Sequence, residues 1–236
     1  MSEETKVVKK KKAYDICNRV ERKGGKINRF MNFLRVLAAP WIWMVLPFRF
    51  YGKKKIKKGA GIFIGNHYKM TDMTYPGTLT WEGIHFLMKK SLFKGKLLTW
   101  FFSTLKVIAV SRDGSDVRAV MDSLKCLKNG EKICIYPEGT RNKVNDELQP
   151  FKAGAALISI KAKAPIIPVV TYKRPRYFRM THVIVGDPIE FTELYDKKPT
   201  EEELAAADKR LMDTFTQIRA EHKEYLESKK RKRKKA

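Results

Sequence analysis

From Gly59 onward the chain repeats one pattern: a short β-rich apolar run, then a longer stretch with helical spacing. GIFIG (61–65), IHFLM (84–88), VIAV (107–110), ICIY (133–136), IIPVV (166–170) and THVIVG (181–186) read as strands. Between several of them lie SLFKGKLLTWFFSTL, SDVRAVMDSLKCLKNG and FKAGAALISIKAKA, which read as helices. The second has Ser115 or Asp116 for an N-cap and Gly130 at its stop. Alternation of this kind predicts an α/β fold, a largely parallel sheet flanked by helices. A length of 236 residues suits one such core with appended elements. The expected division is a basic N-terminus with an apolar segment (1–50), an α/β domain (51–198) and a C-terminal amphipathic helix with a basic tail (199–236).

The charge is unusual. A formal net charge of +25 calls for an anionic partner, phosphate in a nucleic acid or in lipid headgroups. The lysines crowd residues 6–12, 53–58 and the terminal KKRKRKKA, outside the expected core. Between the first two clusters lies FMNFLRVLAAPWIWMVLPFRF (30–50), whose uninterrupted apolar part runs from Val36 to Phe48. That is short of the roughly 20 apolar residues a spanning helix needs. Trp41 and Trp43 suit the headgroup boundary, and Pro40 should bend a helix midway. These features predict an in-plane or shallowly re-entrant anchor on anionic lipid, at the cytoplasmic face of the cell membrane. A buried helix of the core is one alternative, and a single span with Arg35 snorkelling is another. A nucleic-acid binder would also explain the charge, but the sequence has no recognition motif, and its aromatics concentrate in the apolar segment, so no nucleic-acid partner is expected. Cys17, Cys126 and Cys134 have no metal-ligand spacing and suggest neither a disulfide framework nor a zinc site.

Near the C-terminus, Thr200 and Glu203 have the spacing of a capping box. Leu204, Leu211, Phe215, Ile218, His222 and Tyr225 then recur with helical period, predicting one amphipathic helix. The final basic run has no apolar residue before Ala236 and is expected to be disordered.

Two strand ends carry polar clusters. NHYKMTD (66–72) sets His67 and Asp72 five residues apart. On one straight helix they would face about 140° apart and could not pair. They meet if His67 lies on the loop leaving GIFIG and Asp72 in the first turn of the next helix. A His held by an Asp is a tuned general base; the plain alternative is a capped turn. YPEGTRN (136–142) follows a second strand, with Gly139 for close backbone approach, the Thr140 hydroxyl, and Arg141 as a planar fork for phosphate. Alone it is an ordinary turn, as is SRDG with Arg112.

In order, NHYKMTD, VIAVSRD, YPEGTR and IIPVV resemble the four successive motifs of the glycerolipid acyltransferase superfamily, in particular its bacterial 1-acylglycerol-3-phosphate acyltransferases. The resemblance runs from about Gly59 to Pro188. It implies acyl transfer from acyl-CoA or acyl carrier protein to the sn-2 hydroxyl of lysophosphatidic acid, with no further cofactor and no metal. His67 and Asp72 correspond to the family's HxxxxD pair, with His67 as base and Asp72 as its orienting carboxylate. Arg112 and Arg141 would hold the acceptor phosphate with Thr140 and the backbone at Gly139, and Glu138 would bond the glycerol or order the loop. Lys152, in FKAG, lies where it could also reach the phosphate. The chain departs from the pattern at Lys69, where a small Ser is frequent, at Lys106, where a Gly is common, and at Tyr136, usually Phe. The two added cations would favour a more anionic acceptor, so another lysophospholipid or phosphorylated acceptor is the alternative.

Overall fold

The structure, a computed structural model, describes residues 29–53, 55–110 and 117–235. Its strands are β1 (Phe48–Gly52), β2 (Gly61–Gly65), β3 (Ile84–Lys89), β4 (Ile108–Val110), β5 (Lys132–Ile135), β6 (Ile166–Thr171) and β7 (Thr181–Val185). The helices are α1 (Arg29–Val45), α2 (Thr74–Leu79), α3 (Gly95–Thr104), α4 (Val117–Lys128), α5 (Ala155–Ala162) and α6 (Glu201–Lys235). The seven strands form one sheet in the order β1-β7-β6-β2-β5-β3-β4. β6, β2, β5, β3 and β4 are mutually parallel; β7 runs antiparallel to β6, and β1 follows β7. The largely parallel α/β expectation is met.

Every residue of β2 is buried, as an inner strand covered on both faces requires. The period of two divides the core. Ile62, Ile64, Ile133 and Ile166 point to the side covered by α4, α5 and α6, including Ala119, Ala156, Leu211 and Phe215. Phe63, Cys134, Ile167 and Val169 point to the other, with Tyr75 of α2 and the flanking Phe48 and Phe50. On α6 the apolar stripe packs as its spacing predicts. The capping box closes, with the Thr200 amide donating to Glu203 Oε2 (2.9 Å) and the Glu203 amide to Thr200 Oγ1 (3.2 Å).

Two features differ from expectation, and a third sets aside the alternative reading of the first helix. A strand crosses the boundary drawn at residue 50: β1 pairs Phe48 through Gly52 with Thr181 through Val185. Its aromatics read as a continuation of the apolar run, and pairing with β7 reveals them as strand. Gly52 ends β1 at φ 78°, where an added Cβ would lie 2.2 Å from the Val185 carbonyl oxygen. The basic tail is helical through Lys235 rather than disordered, carried on by the packed helix before it. Finally, α1 is no buried core helix. Phe33, Val36, Leu37, Trp41, Trp43 and Met44 are all more than half exposed. Arg35 docks it, donating to the Thr80 carbonyl (2.9 Å) and to Asn32 Oδ1 (2.8 Å). Among the described residues no helix is long and apolar enough to cross a membrane.

Helix α6 meets β7 through an imidazole pair. His182 Nδ1 and His222 Nε2 are 2.8 Å apart, ringed by Tyr51, Tyr172 and Tyr225. Burial pulls His222 down to about 4, and burial together with Arg49 and Lys229 lowers His182. A base held neutral by the fold contributes stability above its unfolded value near 6.5 and loses it as pH falls toward 4. The melting temperature should therefore drop from pH 6.5 to pH 4, and His222→Phe should flatten that drop. A variant whose melting curve keeps the wild-type pH dependence would place the acid sensitivity elsewhere.

Candidate active site

The C-terminal ends of β2 and β5 lie side by side, because the two strands are parallel and paired from Gly61 with Lys132 to Ile64 with Ile135. Both polar clusters leave the sheet there, where open α/β sheets bind ligands. His67 lies on the loop after β2, and Asp72 in the following 3-10 turn (Met70–Met73). His67 Nδ1 donates to Asp72 Oδ2 at 3.0 Å, and the same oxygen accepts the amides of Tyr68 (2.6 Å) and Lys69 (2.7 Å). Asp72 is 1% exposed, so this carboxylate faces protein donors in place of water. With Nδ1 donating, Nε2 carries the lone pair of a neutral imidazole.

Other contacts hold the ring and its loop. Tyr136 stacks on His67 with ring centroids 4.4 Å apart and planes inclined by 25°. Asn66 clamps the loop to the end of β6, donating to the Thr171 carbonyl (2.9 Å) and accepting the Thr171 amide (2.8 Å). The Asn142 amide donates to the His67 carbonyl (2.7 Å), and the buried Asn142 side chain ties the 142–147 loop through Asn145, Val144 and Glu147. Asn66, Tyr136 and Asn142 stand inside the quoted motifs, but their roles as clamps depend on contacts with distant chain. That signal is not periodic and does not show in sequence.

Glu138 is buried, and its Oε2 accepts the His67 amide at 3.3 Å. Desolvation pushes this carboxyl up to about 7. Gly139 adopts φ 66°, and an added Cβ would lie 2.9 Å from Lys152 Cε and 3.1 Å from its Nζ. Lys152 therefore lies over the motif's glycine. Thr140 and Arg141 follow, both exposed, with the guanidinium of Arg141 free of ion pairs among the described residues. The structure thus brings together His67, Asp72, Glu138, Gly139, Thr140 and Arg141. Arg112 lies outside the described residues, as do Ser115 and Asp116.

The two departing lysines separate. Lys69 is beside His67, its ammonium 4.2 Å from the centre of the Tyr177 ring. Lys106 stands before β4, at the far end of the sheet, with Nζ 3.4 Å from Glu131 Oε1. It adds no cation to the site, which corrects the expectation of two. Its φ of 56° is the left-handed conformation that glycine adopts freely, so the backbone there keeps a glycine's shape. His85, Cys126 and Glu131 gather at that far end with ligand atoms within 4.8 Å of one another. The Lys106 ammonium already faces this carboxylate, and the group is remote from His67. Cys134 offers no nucleophile: it is buried in β5, and desolvation pushes its thiol up to about 12.

Comparison with known proteins agrees with this arrangement. The acyltransferase family model matches residues 47–172, more than half of the chain, and so includes β1, His67, Asp72 and the loop from Glu138 to Lys152. The 1-acyl-sn-glycerol-3-phosphate acyltransferase of Bacillus subtilis is 29% identical over 177 residues, which cover 71% of this chain and 86% of that one. Its counterpart in Saccharomyces cerevisiae is 31% identical over 143 residues, 56% of this chain but 46% of the yeast protein. The crystal structure of the lysophosphatidic acid acyltransferase PlsC from Thermotoga maritima superposes with a TM-score of 0.59 over 84% of this chain and 79% of that one, at 21% identity. At that identity the likeness is one of fold, and it carries the mostly parallel sheet. Sheet, motif order and family match converge, and the chain belongs to the acyltransferase family.

Proposed function

We propose that this chain transfers a fatty acyl group from a thioester, acyl-CoA or acyl carrier protein, to the free sn-2 hydroxyl of lysophosphatidic acid, giving phosphatidic acid. The observation that carries the reading is the His67–Asp72 pair joined, through the His67 amide and Glu138, to the PEGTR loop. The names of the Bacillus and yeast relatives supply the acceptor. The hydroxyl gives its proton to His67 Nε2 as its oxygen attacks the thioester carbonyl. The C–O bond forms, the C–S bond breaks, and the proton passes from the imidazolium to the leaving thiolate. Asp72 holds the tautomer and stabilises the imidazolium. Stacking on Tyr136 keeps the ring in one plane. The exposed Arg141, with Lys152, Thr140 and the Gly139 backbone, receives the acceptor phosphate, and Arg112 is assigned to it by motif.

We place the reaction at the cytoplasmic face of the membrane, on anionic lipid, a reading supported by the exposed Trp41 and Trp43 of α1, which suit the interface. A panel of lysophospholipid and phosphorylated acceptors with both donors, read by mass spectrometry of the lipid products, tests the acceptor. Phosphatidic acid should dominate. Product formed only from another acceptor would replace lysophosphatidic acid in this account.

Arg141→Ala should raise the acceptor KM by about 10- to 100-fold, the value of a lost charge-assisted bond, and leave the donor KM within a few-fold. An unchanged acceptor KM with a raised donor KM would move the phosphate site to the other substrate.

A further inference from the structure

The active-site end of the sheet carries exposed apolar side chains that catalysis does not use. The loop after β5 presents Val144, 87% exposed, and the loop between β6 and β7 presents Phe178 (73%) and Met180 (49%). Each tip has exposed cations beside it: Lys143 on the first loop, Arg176 and Arg179 on the second. Phe178 has φ 56°, a left-handed conformation that aromatic residues rarely adopt, so the backbone is held in an unfavourable state while its ring faces outward.

These loops are built as one rigid rim. Arg174 staples them, its amide donating to Asp146 Oδ1 (3.0 Å) and its guanidinium to the carbonyls of Asn142 (3.2 Å) and Asn145 (3.3 Å). The second loop is also fixed to the anchor helix. The Phe178 amide donates to the Val45 carbonyl at the end of α1 (2.8 Å), and the Thr181 amide to the Pro47 carbonyl (2.8 Å). On its inner side, Tyr177 meets Lys69 two residues from His67. The rim thus links the exposed face of α1 to the mouth of the site.

We propose that these two loops form a second membrane-docking element, inserting Val144, Phe178 and Met180 at the headgroup level of an anionic bilayer while Lys143, Arg176 and Arg179 bind its phosphates. Apolar tips flanked by cations match an anionic lipid surface in both hydrophobicity and charge. The arrangement turns the strand ends toward the bilayer, so an acceptor anchored by its acyl chain reaches His67 without leaving the lipid. The inference rests on the membrane reading above, but places catalytic-domain loops, and not α1 alone, in contact with lipid.

The test uses the full chain with a photoreactive benzophenone side chain placed singly at 144, 178 or 41, bound to vesicles of phosphatidylglycerol and phosphatidylcholine. Lipid adducts at 144 and 178 are the expected result. Adducts at 41 without adducts at 144 and 178 overturn the inference and leave the α1 anchor standing. No adduct at any position overturns both. The double variant Val144→Asp, Phe178→Asp supplies a second readout: vesicle partitioning about ten-fold weaker, from lost apolar burial and added repulsion, with turnover of a dispersed short-chain acceptor unchanged. Wild-type partitioning of that variant would overturn the proposal.

Discussion

Replacing His67 by Ala should cut kcat about 10³- to 10⁴-fold while the protein folds and binds vesicles as before, because a positioned general base contributes on that scale. The imidazole is half-buried, and its contacts are the hydrogen bond to Asp72 and the stack on Tyr136. Among the described residues the ring's side-chain hydrogen bond is to Asp72 alone. Glu138 touches the loop through the His67 amide, and at neutral pH its carboxyl, pushed up to about 7, is only partly ionised. The check is steady-state transfer by purified variant, with circular dichroism and vesicle sedimentation as controls for fold and docking. Near wild-type turnover would remove His67 from the chemistry.

Asp72→Asn should cost about as much, on the order of 10³-fold in kcat, by a different route. Asp72 Oδ2 accepts three donors at once, the His67 ring and the amides of Tyr68 and Lys69. With its oxygen at the Oδ2 position an Asn still accepts all three donors but offers the imidazolium no charged partner, and with its NH2 there it favours the wrong tautomer and faces both backbone amides with a donor. Acceptor KM should move little, because the loop proposed to hold the phosphate is a separate one. A variant that lost acceptor affinity and kept kcat would show Asp72 to be a loop organiser and not the partner of the base.

The parts of the fold that could be read from sequence were those governed by period. Strands β2 through β7 show as apolar runs because each is buried on one or both faces, and α6 shows because one stripe of it packs. β1 escaped that reading. FRFYG follows a long apolar segment, and a boundary between two apolar elements has no contrast in composition. The helical tail escaped for the reverse reason: its charge argues for disorder locally, while the packed turns before it extend the helix at little further cost.

At the site, His67 and Asp72 were legible because the five-residue spacing allows one geometry, loop then helix turn, and the structure has it. Lys152 was only half legible. Its approach to Gly139 depends on the Lys152 amide bonding the Pro137 carbonyl at 2.9 Å, a contact across fifteen residues of loop. The Asn142 clamp and the Tyr136 stack depend in the same way on the parallel pairing of β2 with β5. Lys106 shows the opposite failure, a charge that counted in sequence but is placed against Glu131, away from the ligand end.

In the proposed mechanism the acceptor hydroxyl attacks the thioester directly, activated by His67, with no acylated protein between. Rapid-quench mass spectrometry of the wild-type chain mixed with acyl thioester, with and without lysophosphatidic acid, tests it. Direct attack gives phosphatidic acid when lysophosphatidic acid is present and an unchanged protein mass in both mixtures; a protein gaining one acyl group when the acceptor is left out, or no phosphatidic acid when it is present, would rule it out.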